Sequence, residues 1–211
     1  QQISKTYMDN PHEITVGTRN AGIETVDHVC YAVRSHDRYL ALKRIVDYHP
    51  EIYGIIFCRT RVETKDVAAK LIQDGYNADA LHGELSQSQR ETVMHKFRIK
   101  NLQILVATDV AARGLDVDGV TIVVNSDLPS DPEIYVHRIG RTGRMGREGQ
   151  AWSFVGREDL DQLQKISPTW TMHIEESGPP ELPEHLDRDP VKRQQDWGEL
   201  SNVYGMVRIS L

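Results

Sequence analysis

Three arginines recur at every third position in His137-Arg138-Ile139-Gly140-Arg141-Thr142-Gly143-Arg144, with two glycines between them. A guanidinium stays charged at any working pH, and its fork of N–H donors matches the oxygens of a phosphate. Spacing of three sets such groups along one edge of a helix end and the loop that follows, where glycine allows a tight backbone turn. This suits the stabilisation of negative charge that builds on a phosphoryl group in transfer. A solvated basic helix end would need neither the glycines nor a stretch, His137 to Arg147, with four arginines and no acid.

The net charge of −6 argues against a polyanionic partner only if it is spread evenly. It is not: residues 167–211 hold eight acids against four bases, so the remainder is only mildly acidic. Local clusters decide short-range attraction, because salt screens charges beyond roughly 8 Å. Cys30 and Cys58 each sit in an apolar run and read as core thiols. The nine histidines have no ligand spacing, so no metal site is expected. No stretch approaches the ~18 apolar residues needed to cross a bilayer, and Gln1 to Asn10 lacks a signal pattern. A soluble, cytoplasmic protein is expected.

A chain of 211 residues has room for one α/β domain and an appendage. From Val26 to about Ile174, short apolar runs alternate with helical periodicity, the pattern of a parallel sheet with crossover helices. Strands are expected at Val26–Val33, Tyr53–Cys58, Ala78–Leu81, Gln103–Ala107, Thr121–Asn125 and Ala151–Val155. Helices are expected at Asp37–Tyr48, Thr60–Asp74, Ser86–Arg98, Pro132–Gly140 and Arg157–Lys165. Such an open doubly wound sheet binds ligands at the carboxyl ends of its strands. Function is therefore sought at Arg59–Arg61, His82–Gly83, Thr108–Asp116, Ser126–Leu128 and the loop ahead of Ala151. Residues 1–25 read as a linker, and 176–211 as a proline-rich acidic extension in which Asn202–Leu211 could add a strand with no evident partner.

The arginine string resembles motif VI of the DEAD-box RNA helicases. Ala107-Thr108-Asp109-Val110-Ala111-Ala112-Arg113-Gly114-Leu115-Asp116 resembles their motif V, and Ile55-Ile56-Phe57-Cys58-Arg59-Thr60-Arg61 their motif IV. His82-Gly83 through Gln87-Ser88-Gln89-Arg90 resembles the segment after motif IV. These strings stand in the family's order across about residues 20–175. The resemblance implies a C-terminal RecA-like lobe: a doubly wound, mostly parallel sheet with helices on both faces. It implies that Arg141 and Arg144 are arginine fingers to ATP, that Asp116 accepts hydrogen bonds from the ribose, and that Gly114 belongs to the nucleotide site. His137, Arg138 and Arg113 match residues that couple nucleotide state to closure against the N-terminal RecA-like lobe. Thr60, Arg61, Gly83, Gln87, Arg90, Thr108 and Gly114 match positions holding an RNA sugar–phosphate backbone. Hydroxyls, glycine-bared N–H groups and arginine at a helix start favour phosphate and read no base edge.

Ser126 stands where the family commonly has an aromatic residue, and Met145 where it has a small one; neither position carries a motif role. Hydrolysis in this class also needs a phosphate loop ending in Gly-Lys and an acidic Mg²⁺ motif. The chain contains neither a Gly-Lys nor an Asp-Glu dipeptide. The expectation is ATP with Mg²⁺ as ligand, the metal held by the N-terminal lobe, and no activity for this chain alone. A non-catalytic RNA or protein clamp and a DNA-acting relative are the two other readings.

Overall fold

The computed structural model describes residues 26–114, 116–144, 148–156, 159–166, 171–174 and 206–210. Six strands form the parallel part of one sheet: β1 Val26–Ala32, β2 Gly54–Phe57, β3 Ala78–Leu81, β4 Ile104–Ala107, β5 Ile122–Asn125 and β6 Gly149–Val155. Between them lie α1 Arg38–Tyr48, α2 Arg61–Gln73, α3 Gln87–Arg98, the single turn α4 Asp109–Ala112, and α5 Pro132–Ile139; α6 Leu160–Ile166 follows β6. Two further strands, β7 Thr171–Ile174 and β8 Met206–Ser210, complete the order β3-β4-β2-β5-β6-β1-β8-β7. β8 runs antiparallel to both β1 and β7. The terminal strand expected from the sequence thus has a partner, the edge of β1. The 1–25 linker lies outside the described residues, as do most of the 176–211 extension and Met145.

The period of two along a strand divides the core. Ile56, Val106 and Val124 point to the face covered by Leu42, Ile45, Val46, Val67 and Leu71 from α1 and α2. Ile55, Phe57, Leu105 and Val123 point to the other face, under Val93, Met94 and Phe97 of α3. Tyr135 and Ile139 of α5 and Leu163 of α6 extend that layer over β1 and β6. Cys30 and Cys58 are both free and buried, as their apolar surroundings require.

Cap residues set the helix starts. The Thr60 hydroxyl accepts from Glu63 N, Ser86 forms a reciprocal capping box with Gln89, and Asp131 caps α5 ahead of Pro132. α2 and α3 follow β2 and β3, so both N-termini open at the carboxyl edge, with Thr108 between them at the end of β4. One expectation from the sequence fails at the turn before β6. The loop ahead of Ala151 belongs to the amino ends of the strands, because Thr142 Oγ1 sits against the carbonyls of Val120 (2.7 Å) and Thr121 (3.0 Å), just before β5. A crossover must return the chain to the start of the next parallel strand.

Candidate nucleotide cleft and nucleic-acid edge

Two segments leave the carboxyl edge and run back down the sheet side by side: the one carrying Arg113, Gly114 and Asp116, and helix α5. Between them is an open cleft of about 330 Å³ lined by Asp109, Arg113, Gly114, His137, Arg138 and Arg141, with Phe57 at its base. Gly114 has φ +74, a left-handed conformation that a side chain would strain, and so turns the chain out of α4. Motifs 28 residues apart in sequence meet near Arg141, where Arg144 Nη1 lies 3.2 Å from Asp116 Oδ1. Asp116 is 91% exposed there, so the pair sits in water and yields readily to a competing ligand.

Arg141 is anchored through its backbone and its inner nitrogen: Nε donates to His137 O at 3.2 Å. Burial first, then the neighbouring Arg144 charge, lowers its pKa, with Asp116 opposing. Two guanidiniums close enough to repel one another, partly shielded from solvent, would both be stabilised by an anion placed between them.

Arg138 lines the floor of the cleft and is held from within. It is 2% exposed, its Nε and Nη2 grip Asp109 (2.6 and 2.8 Å), and its Nη1 donates to Asn125 Oδ1 (3.2 Å) and Asp127 O (2.8 Å). The same guanidinium lies 5.2 Å over the Phe57 ring. A group so enclosed faces inward, tying α5 to α4 and to the end of β5; His137 and Arg113 remain exposed at the cleft.

At the carboxyl edge, Thr60, Arg61, Gly83 and Gln87 are exposed, Arg90 is half-buried and Thr108 is buried. Arg61 Nη1 pairs with Glu84 Oε1 at 3.1 Å, and Lys65 reaches the other oxygen of the same carboxylate. Gln87 donates to Glu91, and Arg90 Nη2 to the carbonyl of Ala111 at 3.2 Å, which joins α3 to α4. Thr60 and Thr108 accept from backbone N–H groups as caps, a use that leaves each hydroxyl proton to donate. Among the described residues no group of three or more His, Cys, Asp or Glu side chains could hold a metal ion. None of their helices is long and apolar enough to cross a membrane.

Residues 37–146 match the family model for the helicase conserved C-terminal domain. The chain belongs to that helicase family. Its relatives place this helicase domain in the DEAD-box branch: it is 40% identical over 187 residues to the DEAD-box ATP-dependent RNA helicase CshA of Geobacillus kaustophilus, covering 89% of this chain and 40% of that protein. A DEAD box protein of Methanococcus jannaschii superposes with TM-score 0.65 at 40% identity, over 79% of this chain and 45% of the other. Saccharomyces cerevisiae Dbp5, solved bound to RNA and ADP BeF3, superposes with TM-score 0.68 at 31% identity, over 78% and 45%. The helicase domain therefore spans about two-fifths of the length of the curated relatives it matches. The sequence reading gives Asp109 and Asn125 of this domain no roles, although Asp109 lies in the segment resembling motif V and Asn125 ends an expected strand. An acid two residues past a buried strand was the available signal for a partner to a buried arginine.

Proposed function

We propose that this domain is the second motor lobe of an ATP-dependent RNA helicase that hydrolyses ATP only when joined to its N-terminal lobe. The observation that carries this reading is the convergence of Arg113, Gly114, His137 and Arg141 on one cleft, with Arg144 and Asp116 paired near Arg141. Arg141 and Arg144 lie close enough there to act on one another's charge, and no group of three or more His, Cys, Asp or Glu among the described residues could hold a metal ion. That suits a half-site which completes a triphosphate and its Mg²⁺ presented by another lobe. Arg141 and Arg144 would meet the phosphates as arginine fingers. Asp116, released from Arg144, would accept hydrogen bonds from the ribose, while His137 and Arg113 would engage the opposing lobe. Arg138 would act indirectly by holding α5 in register with α4.

RNA would bind the carboxyl edge through Thr60, Arg61, Gly83, Gln87, Arg90, Thr108 and Gly114. Closure of the lobes on ATP and one strand supplies the coupling, since only differential binding to the closed state can shift that equilibrium. The test is RNA-stimulated ATP hydrolysis by the two-lobe protein. Arg141→Ala or Arg144→Ala should lower kcat by ~10³-fold or more, the scale of finger loss in related phosphoryl transfer. A loss below about tenfold would remove the finger role, and absence of any RNA-stimulated hydrolysis would remove the motor reading.

A further inference from the structure

Arg59 carries no role in the foregoing reading. It leaves the carboxyl end of β2 one residue before Thr60, and its side chain is 64% exposed, whereas that of Asp127 beneath it is 2% exposed. Arg59 Nε stands 3.6 Å from Asp127 Oδ2, beyond hydrogen-bond length. Neither Asp127 carboxylate oxygen has a hydrogen-bond partner. A buried carboxylate without donors is held at a cost in its ionised form. No nitrogen of Arg59 hydrogen-bonds the carboxylate, so the terminal fork that grips phosphate is not tied to Asp127 by a hydrogen bond.

We propose that Arg59 is an additional RNA-phosphate contact of this lobe, and that Asp127 beneath it makes RNA binding take up a proton. The proposal rests on the RNA-binding reading of the carboxyl edge. The charged groups facing Asp127 are Arg138 from α5, Glu63 from α2, Arg59 from the end of β2 and Arg38 from the start of α1; the Cys58 thiol is also close. Burial pushes the Asp127 carboxyl up to about 6, Glu63 adds to the rise, and the three arginines oppose it. A phosphate arriving at Arg59 acts on this acid in two ways with one sign. It draws the guanidinium away from Asp127, and it brings its own negative charge close. Both favour the protonated acid, so the bound state has the higher pKa. By linkage, RNA then binds more tightly as pH falls from the bound-state pKa to the free value near 6, below which the gain is complete.

The experiment is fluorescence anisotropy of a labelled oligouridylate with the two-lobe protein and a non-hydrolysable ATP analogue, from pH 5.5 to 8 and across a salt series. Arg59→Ala should weaken binding by about fivefold at 0.1 M salt and reduce the magnitude of the log–log salt slope by about 0.7, the value of one single-strand phosphate contact. Asp127→Asn should tighten binding about threefold at pH 8 by removing a negative charge near the phosphate. Both variants should lose the part of the wild-type pH dependence centred above 6, while histidine-derived dependence common to all three proteins persists. Wild-type affinity and salt slope in Arg59→Ala would overturn the phosphate contact. An unchanged pH profile in Arg59→Ala would overturn the proton linkage, even if Asp127→Asn fails to fold. Failure of the wild type to bind RNA at any pH would instead defeat the RNA reading of the lobe, and this proposal with it.

Discussion

Arg138 shows how much a single buried charge depends on its neighbours. With four contacts to Asp109, Asn125 and Asp127 O and a ring beneath it, the guanidinium has replaced its hydration almost completely. Removing a partner from such a group leaves an uncompensated charge, which costs more than the pair contributes when intact. Asp109→Ala should therefore destabilise the domain by about 3 kcal/mol, the low end for a buried pair because the Asp109 side chain is 27% exposed. That corresponds to a fall in Tm of roughly 6–12 °C for a domain of this size. Asp109→Asn, which keeps one acceptor for Arg138, should lose about half as much. Thermal unfolding followed by circular dichroism reads both, and a fall under 2 °C for Asp109→Ala would mean that Arg138 is held by its other contacts alone.

At the scale of elements, the arginine loop is positioned by a strand that contributes no functional side chain. A Cβ on Gly149, the first residue of β6, would lie 2.4 Å from Gly143 N and 2.5 Å from Thr142 Oγ1, distances real atoms do not tolerate. Backbone cannot yield as a flexible side chain does, and Thr142 is itself stapled to Val120 and Thr121. Gly149→Ala should push the Thr142–Gly143 turn, and the guanidiniums on either side of it, out of place by an ångström or so. Misplacement on that scale costs on the order of 10²-fold in rate, so kcat of the two-lobe ATPase should fall accordingly while RNA binding at the distant carboxyl edge holds; kcat within twofold of wild type would show that the turn adapts. The periods of two and 3.6 made the six parallel strands and their long helices legible in the sequence, with α2 and α3 expected from Thr60 and Ser86, one residue ahead of their observed starts. The turn Asp109–Ala112 escaped because four residues are too short to show a period, and Thr171–Ile174 because it is equally short. The partner of β8 and the inward course of Arg138 were hidden for another reason. Each is decided by a residue far along the chain: β1 in the first case, Asp109 in the second.

For the whole molecule, a parallel sheet collects what a linear chain disperses. Thr60, Gln87 and Thr108 lie in three different crossovers, yet adjacency of β3, β4 and β2 brings them to one edge, with the N-termini of α2 and α3 between. This is how a chain of net charge −6 would present the phosphate-binding surface proposed for it: the sign of the total is set elsewhere, much of it by the acidic residues after 167. The cations at that edge are few, and one acid, Glu84, holds both Arg61 and Lys65. RNA binding by the lobe should accordingly be salt-sensitive but shallow in slope. Each arginine that neutralises a phosphate contributes about −0.7 to the slope of log K against log salt for a single strand. Arg61→Ala combined with Arg90→Ala should then reduce the slope of the two-lobe protein by about 1.4, with equal effect on oligouridylate and oligocytidylate because no base edge is read. Filter binding across 50–300 mM salt measures this directly. A slope unchanged by the double substitution would move the RNA path off this edge, and a loss confined to one base would mean that these arginines read sequence after all.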